Sequence, residues 1–410
     1  MKISRQFVVL GFVCATSLIG ILRFSALQWS RPGILMKITS RPKVMKISAE
    51  PEVTTMSSTI RFGTDSGKDS MHTTKWTTES FQNATCEPYH QIVFVKTHKT
   101  ASTTANTIIQ RYGYEHNLTF ALPKKGGKFS FTSLFNRRMV ASQSGQNETI
   151  AKPAQYNVIA NHGRFNKLEM LAVVPDARFL TILREPVAKC ESTFGYYNMA
   201  KSLELNKYEL PFEKFSEDPE GYFQRKPFMY FQLKNGMMYS LGLDHADQDN
   251  TSKVESKIRE VEKEFDLVLL TEYFDESLLL MRKLLCWNED DILYLPKGIR
   301  STKLRYEINP KVREKILKWN AADVKLYNHF NETFWRKVRE YGPSFESDLK
   351  HFRERQRAVY NECIDEDAVV RSRDTRENFL ALREDASKFC VVLYGRVDFF
   401  VNEIRKRQTA

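Results

Sequence analysis

The chain has 410 residues, 42% of them hydrophobic and 12% aromatic, enough for one large or two ordinary buried cores. Its net charge of +12 suits an anionic ligand or an anionic surface. The lysines and arginines are scattered rather than blocked, and neither zinc-finger spacing nor an RNA-binding aromatic motif is present, which argues against nucleic acid as a partner.

Phe7 to Leu22 is an uncharged, mostly apolar run. As a helix it would span roughly 24 Å at about 1.5 Å per residue, short for a bilayer unless Arg23 snorkels and Phe24 to Trp29 extend it. No convincing small-x-small cleavage site follows, so an uncleaved anchor at 7–27 is expected behind a short tail at 1–6. Lys2 and Arg5 precede the run, whereas Arg23, Arg31, Lys37 and Arg41 follow it, a balance that argues against a lumenal C-terminal part. Five glycosylation sequons, at Asn83, Asn117, Asn147, Asn250 and Asn331, argue for one.

Residues 28–85 are rich in Ser, Thr and Lys without sustained apolar periodicity, and read as a disordered stem. Within it Met36-Lys-Ile and Met45-Lys-Ile echo Met1-Lys-Ile, a repeat with no evident function. The folded part is expected at 86–410. It holds Cys86, Cys190, Cys286, Cys363 and Cys390, while Cys14 falls in the anchor. No C-x-x-C pair occurs, so a cysteine zinc site is not expected. An oxidising lumen would give one or two disulfides and at least one free thiol, and Cys363 and Cys390 are candidates to pair.

Ile92 to Val95 is a short β-branched run that predicts a buried parallel strand. Lys96-Thr-His-Lys-Thr-Ala-Ser-Thr-Thr104 follows, then a helical pattern from Thr103 to Tyr112. Strand, polar loop and helix make a cradle for an anion, because the helix start offers unpaired N–H groups and a positive dipole end. The loop is not the standard nucleotide-triphosphate motif, since it has no glycine and Lys99 precedes the hydroxyl residues.

Further strands are expected at Leu118 to Leu122, Tyr156 to Ala160, Arg178 to Leu183 and Phe265 to Leu270. Helices are expected after Pro186, at Glu276 to Leu285 and at Pro310 to Tyr327. The alternation predicts an α/β fold with a mainly parallel sheet, ligands lying beyond the strands' carboxyl ends. Lys99, His162 and Arg184 each follow a predicted strand. Ser192 comes eight residues after Arg184 on the next helix, and Pro186 suits that helix's first turn. A guanidinium and a hydroxyl so placed can grip a phosphate. The acidic, basic C-terminal part from Glu346 reads as helices and loops forming an annex or an acceptor-side wall.

Lys99-Thr-Ala-Ser-Thr-Thr104 resembles the 5′-phosphosulfate loop of sulfotransferases, and Arg184 with Ser192 resembles their 3′-phosphate site. Together with Phe94-Val-Lys-Thr-His-Lys99, His116-Asn-Leu-Thr-Phe-Ala-Leu-Pro123, Asn161-His-Gly-Arg-Phe-Asn166, Ile182-Leu-Arg-Glu-Pro186, the Phe265 to Ser277 stretch and Trp319-Asn-Ala-Ala-Asp-Val, these motifs are similar to the galactose 3-O-sulfotransferase family over roughly Cys86 to Cys390. The resemblance implies a sulfotransferase fold and a Golgi type II membrane enzyme. Such an enzyme moves a sulfo group from 3′-phosphoadenosine 5′-phosphosulfate (PAPS) to the 3-hydroxyl of galactose on a glycolipid or glycan. It further implies that Lys99, Thr100, Ala101, Ser102, Thr103 and Thr104 hold the 5′-phosphate, that Arg184 and Ser192 hold the 3′-phosphate, and that no metal is required. A general base is expected at His162, with His98 as the alternative and Glu272 a third candidate. Another sugar acceptor such as a glycosaminoglycan, or a non-catalytic PAPS-binding or glycan-binding protein, fits the same motifs. A homo-oligomer is left open.

Overall fold

The computed structural model describes residues 86–141, 155–297, 299–371 and 377–409. The expected anchor and stem, and the sequons at Asn83 and Asn147, lie outside them. Among the described residues no helix is long and apolar enough to cross a membrane.

Four strands form the central sheet: β1 (Ile92–Val95), β2 (Val158–Ile159), β3 (Arg178–Leu183) and β4 (Leu267–Leu270). Their order is β2-β1-β3-β4 and every pairing is parallel. β1, β2 and β4 are buried throughout and β3 is buried from Phe179 on, which is why these segments read as continuous apolar runs rather than alternating ones. The register places Val95 beside Thr181 and Leu183 beside Leu270, so the strands end at one rim. The chain leaves β1 for β2 on one side and then crosses to β3 on the other. That reversal makes a switch point, where open α/β sheets leave a crevice.

Helix α1 (Ser102–Glu115) follows β1, and α2 (Pro186–Tyr196) follows β3 with Pro186 in its first turn. The parallel sheet and flanking helices match the expected α/β architecture. Two elements differ. The stretch from Leu118 to Leu122 forms only an isolated bridge, Phe120 to Val158, instead of a strand. Thr119 and Ala121 bond to the Val158 backbone, but the Phe120 and Leu118 groups are satisfied elsewhere: Gln408 Oε1 accepts from the Phe120 N–H at 2.7 Å, Gln408 Nε2 donates to the Phe120 carbonyl, and Arg407 donates to the Leu118 carbonyl. The single helix expected at Pro310 to Tyr327 is two, Pro310–Trp319 and Ala321–Tyr341. Asn320 breaks them, and its Oδ1 accepts from the Asn235 N–H at 2.6 Å.

The charged C-terminal part is not all helix. After helix Phe345–Cys363 come β6 (Ile364–Arg371) and β7 (Glu377–Leu382), and β7 also pairs with the short β5 (Ile299–Arg300). Helices Lys388–Tyr394 and Val397–Thr409 close the chain. Cys363 pairs with Cys390 and Cys86 with Cys286, while Cys190 is a buried free thiol. Two disulfides and one thiol fall within the sequence expectation.

Candidate active site

A cleft of about 910 Å³ opens at the switch point, beyond the ends of β1 and β3. It brings together every donor-site and catalytic residue singled out from the sequence except Glu272: His98, Lys99, the run Thr100 to Thr104, His162, Arg184 and Ser192.

The loop after β1 is fixed from within. Thr97 Oγ1 donates to the Ile182 carbonyl at 2.5 Å, and lies 2.7 Å from the Thr100 hydroxyl. Ser102 Oγ donates to the Thr97 carbonyl at 2.5 Å. The hydroxyls of Thr100 and Ser102 therefore shape the loop rather than face the cleft as donors, while Thr103 is exposed. Lys99 (φ 61°) and Ala101 (φ 56°) both lie in the left-handed region, a conformation that costs free energy in non-glycine residues and that turns successive N–H groups toward one concavity. Ala101 caps α1 and has no side-chain acceptor, so the cap leaves the helix's first N–H groups for an anion.

Lys99 Nζ lies 3.4 Å above the Tyr196 ring. Arg184 lies across the rim: Nη1 donates to the Lys99 carbonyl at 3.1 Å, while Nε is buried with no hydrogen-bond partner. Thr271, after β4, places Oγ1 2.9 Å from the carbonyls of both Thr100 and Leu183, tying three strand ends together.

His98 and His162 are stacked, ring centroids 4.1 Å apart and planes 16° apart. Burial first, then the charges of Lys189, Lys96, Lys99 and Lys128, hold the His98 imidazole well below its usual range. Burial, then His98 and Lys96, do the same for His162, partly offset by its hydrogen bond to the Lys96 backbone. Both rings are therefore neutral near neutral pH. His162 Nδ1 is buried without a partner, and His98 Nδ1 lies 3.5 Å from the Tyr197 hydroxyl. Glu272 is held instead by the Glu185 N–H and the Tyr327 hydroxyl, each at 3.0 Å, and is not among the cleft-lining residues.

Sequence reasoning missed part of the wall. Arg300 and Arg305 line the cleft, held on α2 by the buried Glu191, which accepts from Arg300 Nη2 at 2.5 Å and from the Tyr306 N–H at 2.8 Å. Lys297, beside them, has burial and nearby Arg111 and Arg396 pulling its ammonium down to about 7. Tyr394, Arg396 and Asp398 arrive from the last two helices and the short link between them. No local motif announces these residues. Among those lining the cleft Asp398 is the one carboxylate. Burial, against the nearby Asp398, brings Lys96 down to about 8.

The profile of the family described as Galactose-3-O-sulfotransferase matches residues 3–383. The chain belongs to the galactose-3-O-sulfotransferase family. It is 36% identical to galactosylceramide sulfotransferase of Mus musculus over 284 residues, which is 68% of this chain and 65% of that protein. It is 37% identical to the Homo sapiens galactosylceramide sulfotransferase, with the same coverage, and 35% identical to galactose-3-O-sulfotransferase 2 of Sus scrofa over 68% of this chain and 70% of that protein. The match thus spans slightly under two thirds of the galactosylceramide sulfotransferases.

Proposed function

We propose that this protein transfers a sulfo group from PAPS to the 3-hydroxyl of a galactose residue on a glycolipid or glycan. The observation that carries the reading is the meeting, at one switch point, of an alanine-capped helix start, a strand-end arginine and two neutral histidines. PAPS fits the residues present. It is anionic at both ends, the cleft is lined by lysines and arginines, and the buried Arg184 Nε lacks the acceptor that a phosphate oxygen would supply.

When bound, PAPS supplies an activated sulfo group and a good leaving group. The backbone N–H groups around Ala101 and the start of α1, with the Thr103 and Thr104 hydroxyls, bind its 5′-phosphate, and Thr100 and Ser102 contribute mainly by holding the loop. Lys99 neutralises the charge that grows on the leaving oxygen. Arg184 and Ser192 bind the 3′-phosphate. His162 accepts the proton of the galactose hydroxyl, with His98 stacked beside it as the alternative acceptor. Because lysine supplies the counter-charge, the reaction should survive chelator.

We extend the proposal to topology: an anchor at 7–27, a stem at 28–85 and a catalytic part at 86–410 in the Golgi lumen. Two observations support a lumenal setting, the paired disulfides and the surface sequons. Asn117 is exposed, and Asn250 is an exposed helix cap, so both can carry a glycan. Asn331 lies within a helix with its Oδ1 buried, a less open setting.

The test is to incubate the detergent-solubilised full chain with radiolabelled PAPS and, separately, galactosylceramide, lactosylceramide and galactose-terminated oligosaccharides. Label on the galactose 3-hydroxyl, lost in Lys99→Ala and Arg184→Ala, is the expected result. Binding of PAPS without transfer to any galactoside overturns the assignment.

A further inference from the structure

Phe228 is the least explained side chain of the cleft. It lines the cavity yet is 70% exposed, which leaves most of a large apolar ring in water. The turn that carries it is anchored on its Met229 side. Lys226 (φ 49°) and Met229 (φ 64°) both adopt the left-handed region, and Met229 is buried in the secondary hydrophobic cluster. The backbone is thus held in a costly conformation that plants Met229 and lifts Phe228 out. Phe228 meets the Tyr197 ring edge-on, centroids 6.0 Å apart and planes 80° apart. Tyr197 in turn places its hydroxyl 3.5 Å from His98 Nδ1. An aromatic wall therefore runs from the mouth of the cleft to the histidine pair.

The geometry points to Phe228 as the platform for the acceptor galactose, a specificity residue for the reaction proposed above, and the inference rests on that reading. The hydroxyl that is to be sulfated must reach a histidine, so its pyranose ring lies at that end of the cleft. A β-galactoside has the right shape for such a platform. Its axial 4-hydroxyl leaves the hydrogens of C3, C4 and C5 together on one face, an apolar patch that an aromatic ring can cover. The equatorial 3-hydroxyl then projects sideways from the edge of the stack, along the wall toward the stacked His98 and His162. The 4-epimer, glucose, has its C4 hydrogen on the opposite face and offers no such continuous patch. A purely donor-side role for Phe228, stacking on adenine, uses the same ring but makes the opposite kinetic prediction.

The experiment measures KM for acceptor and for PAPS separately in the full chain and in Phe228→Ala, Phe228→Tyr and Phe228→Trp, using the best galactoside of the acceptor panel and its matching glucoside. In Phe228→Ala the acceptor KM should rise about three- to ten-fold, the range expected for one lost aromatic contact. The PAPS KM should stay within about two-fold, the preference for galactoside over glucoside should shrink, and the Tyr and Trp variants should restore both. An unchanged acceptor KM, or a rise confined to the PAPS KM, overturns the inference. Absence of transfer by the unmodified chain to any galactoside would instead refute the proposed function, so the two failures are distinct.

Discussion

Arg184 Nη1 donates to the Lys99 carbonyl at 3.1 Å, so the end of β3 holds the loop after β1 from across the switch point. One guanidinium thus supports the loop after β1 with one nitrogen, while its Nε stays buried without a hydrogen-bond partner. Arg184→Lys retains the charge but cannot do both. Affinity for adenosine 3′,5′-bisphosphate should fall roughly 10- to 100-fold, the worth of a charged hydrogen bond, when read by calorimetry. Affinity equal to that of the parent would remove Arg184 from the nucleotide site.

The stacked histidines give a pH signature. Both imidazoles are held well below the usual 6.5, so a base drawn from this pair stays unprotonated as pH falls. The acid limb of kcat/KM should therefore lie below pH 6.5. His162→Ala should lose at least about a hundred-fold in kcat, the usual worth of a general base, with His98→Ala losing less. The reverse order would assign the proton to His98, and an acid limb above 6.5 would place the base elsewhere.

The same depressed values act on stability. Below pH 6.5 the unfolded histidines take up protons that the folded ones refuse, so stability falls as pH drops through the unfolded value and continues to fall toward the folded ones. Thermal melts should show a lower Tm at pH 5.5 than at 7.5. Replacing both histidines by Asn should flatten that difference, and an unaltered slope would contradict the assignment.

Gly195 lets α2 approach the segment that carries Arg300 and Arg305. A Cβ there would sit 2.2 Å from the Leu304 carbonyl oxygen and 2.4 Å from Arg300 Nη1. The backbone must move, so Gly195→Ala should cost about 1–3 kcal/mol in urea unfolding and weaken nucleotide binding together. Lost stability with intact binding would show that the 300–305 segment is not part of the donor wall.

The Cys363–Cys390 disulfide closes a separation of 27 residues just before Tyr394 and Arg396 reach the cleft. Replacing both cysteines by Ser should cost about 3.5 kcal/mol in the chain-entropy account. Denaturant unfolding with and without the substitutions measures it. A cost near zero would mean that packing alone holds this region.

The sheet was legible because β1, β3 and β4 are buried runs whose apolar character needs no partner to be recognised. Lys99, His162 and Arg184 were legible for a related reason, since each comes within four residues of the end of a central strand and the fold sends strand ends to one rim. Phe120 was misread because its apolar neighbours suggest a strand, whereas the partner of its backbone is a distant glutamine. Asn320 was misread because a helix break made by a tertiary hydrogen bond leaves no Pro or Gly behind. Arg300, Lys297 and Asp398 are ordinary charged residues in the sequence, and only pairing with Glu191 or the docking of the last helices brings them to the cleft. The hydroxyls of Thr100 and Ser102 show a finer limit: composition identified them as donors but not that their own loop uses them.

Gln408 completes the backbone of Phe120 from 288 residues further along the chain. During synthesis the loop after β1 therefore leaves the ribosome long before the Val397–Thr409 side of the cleft exists. Until the final helix arrives, the Phe120 amide and the Leu118 carbonyl have only solvent or a chaperone to bond. The pocket is complete only once the Val397–Thr409 helix has been made. A premature stop that removed only that helix would leave every residue of the loop after β1 in the product while taking away one side of the cleft that loop lines.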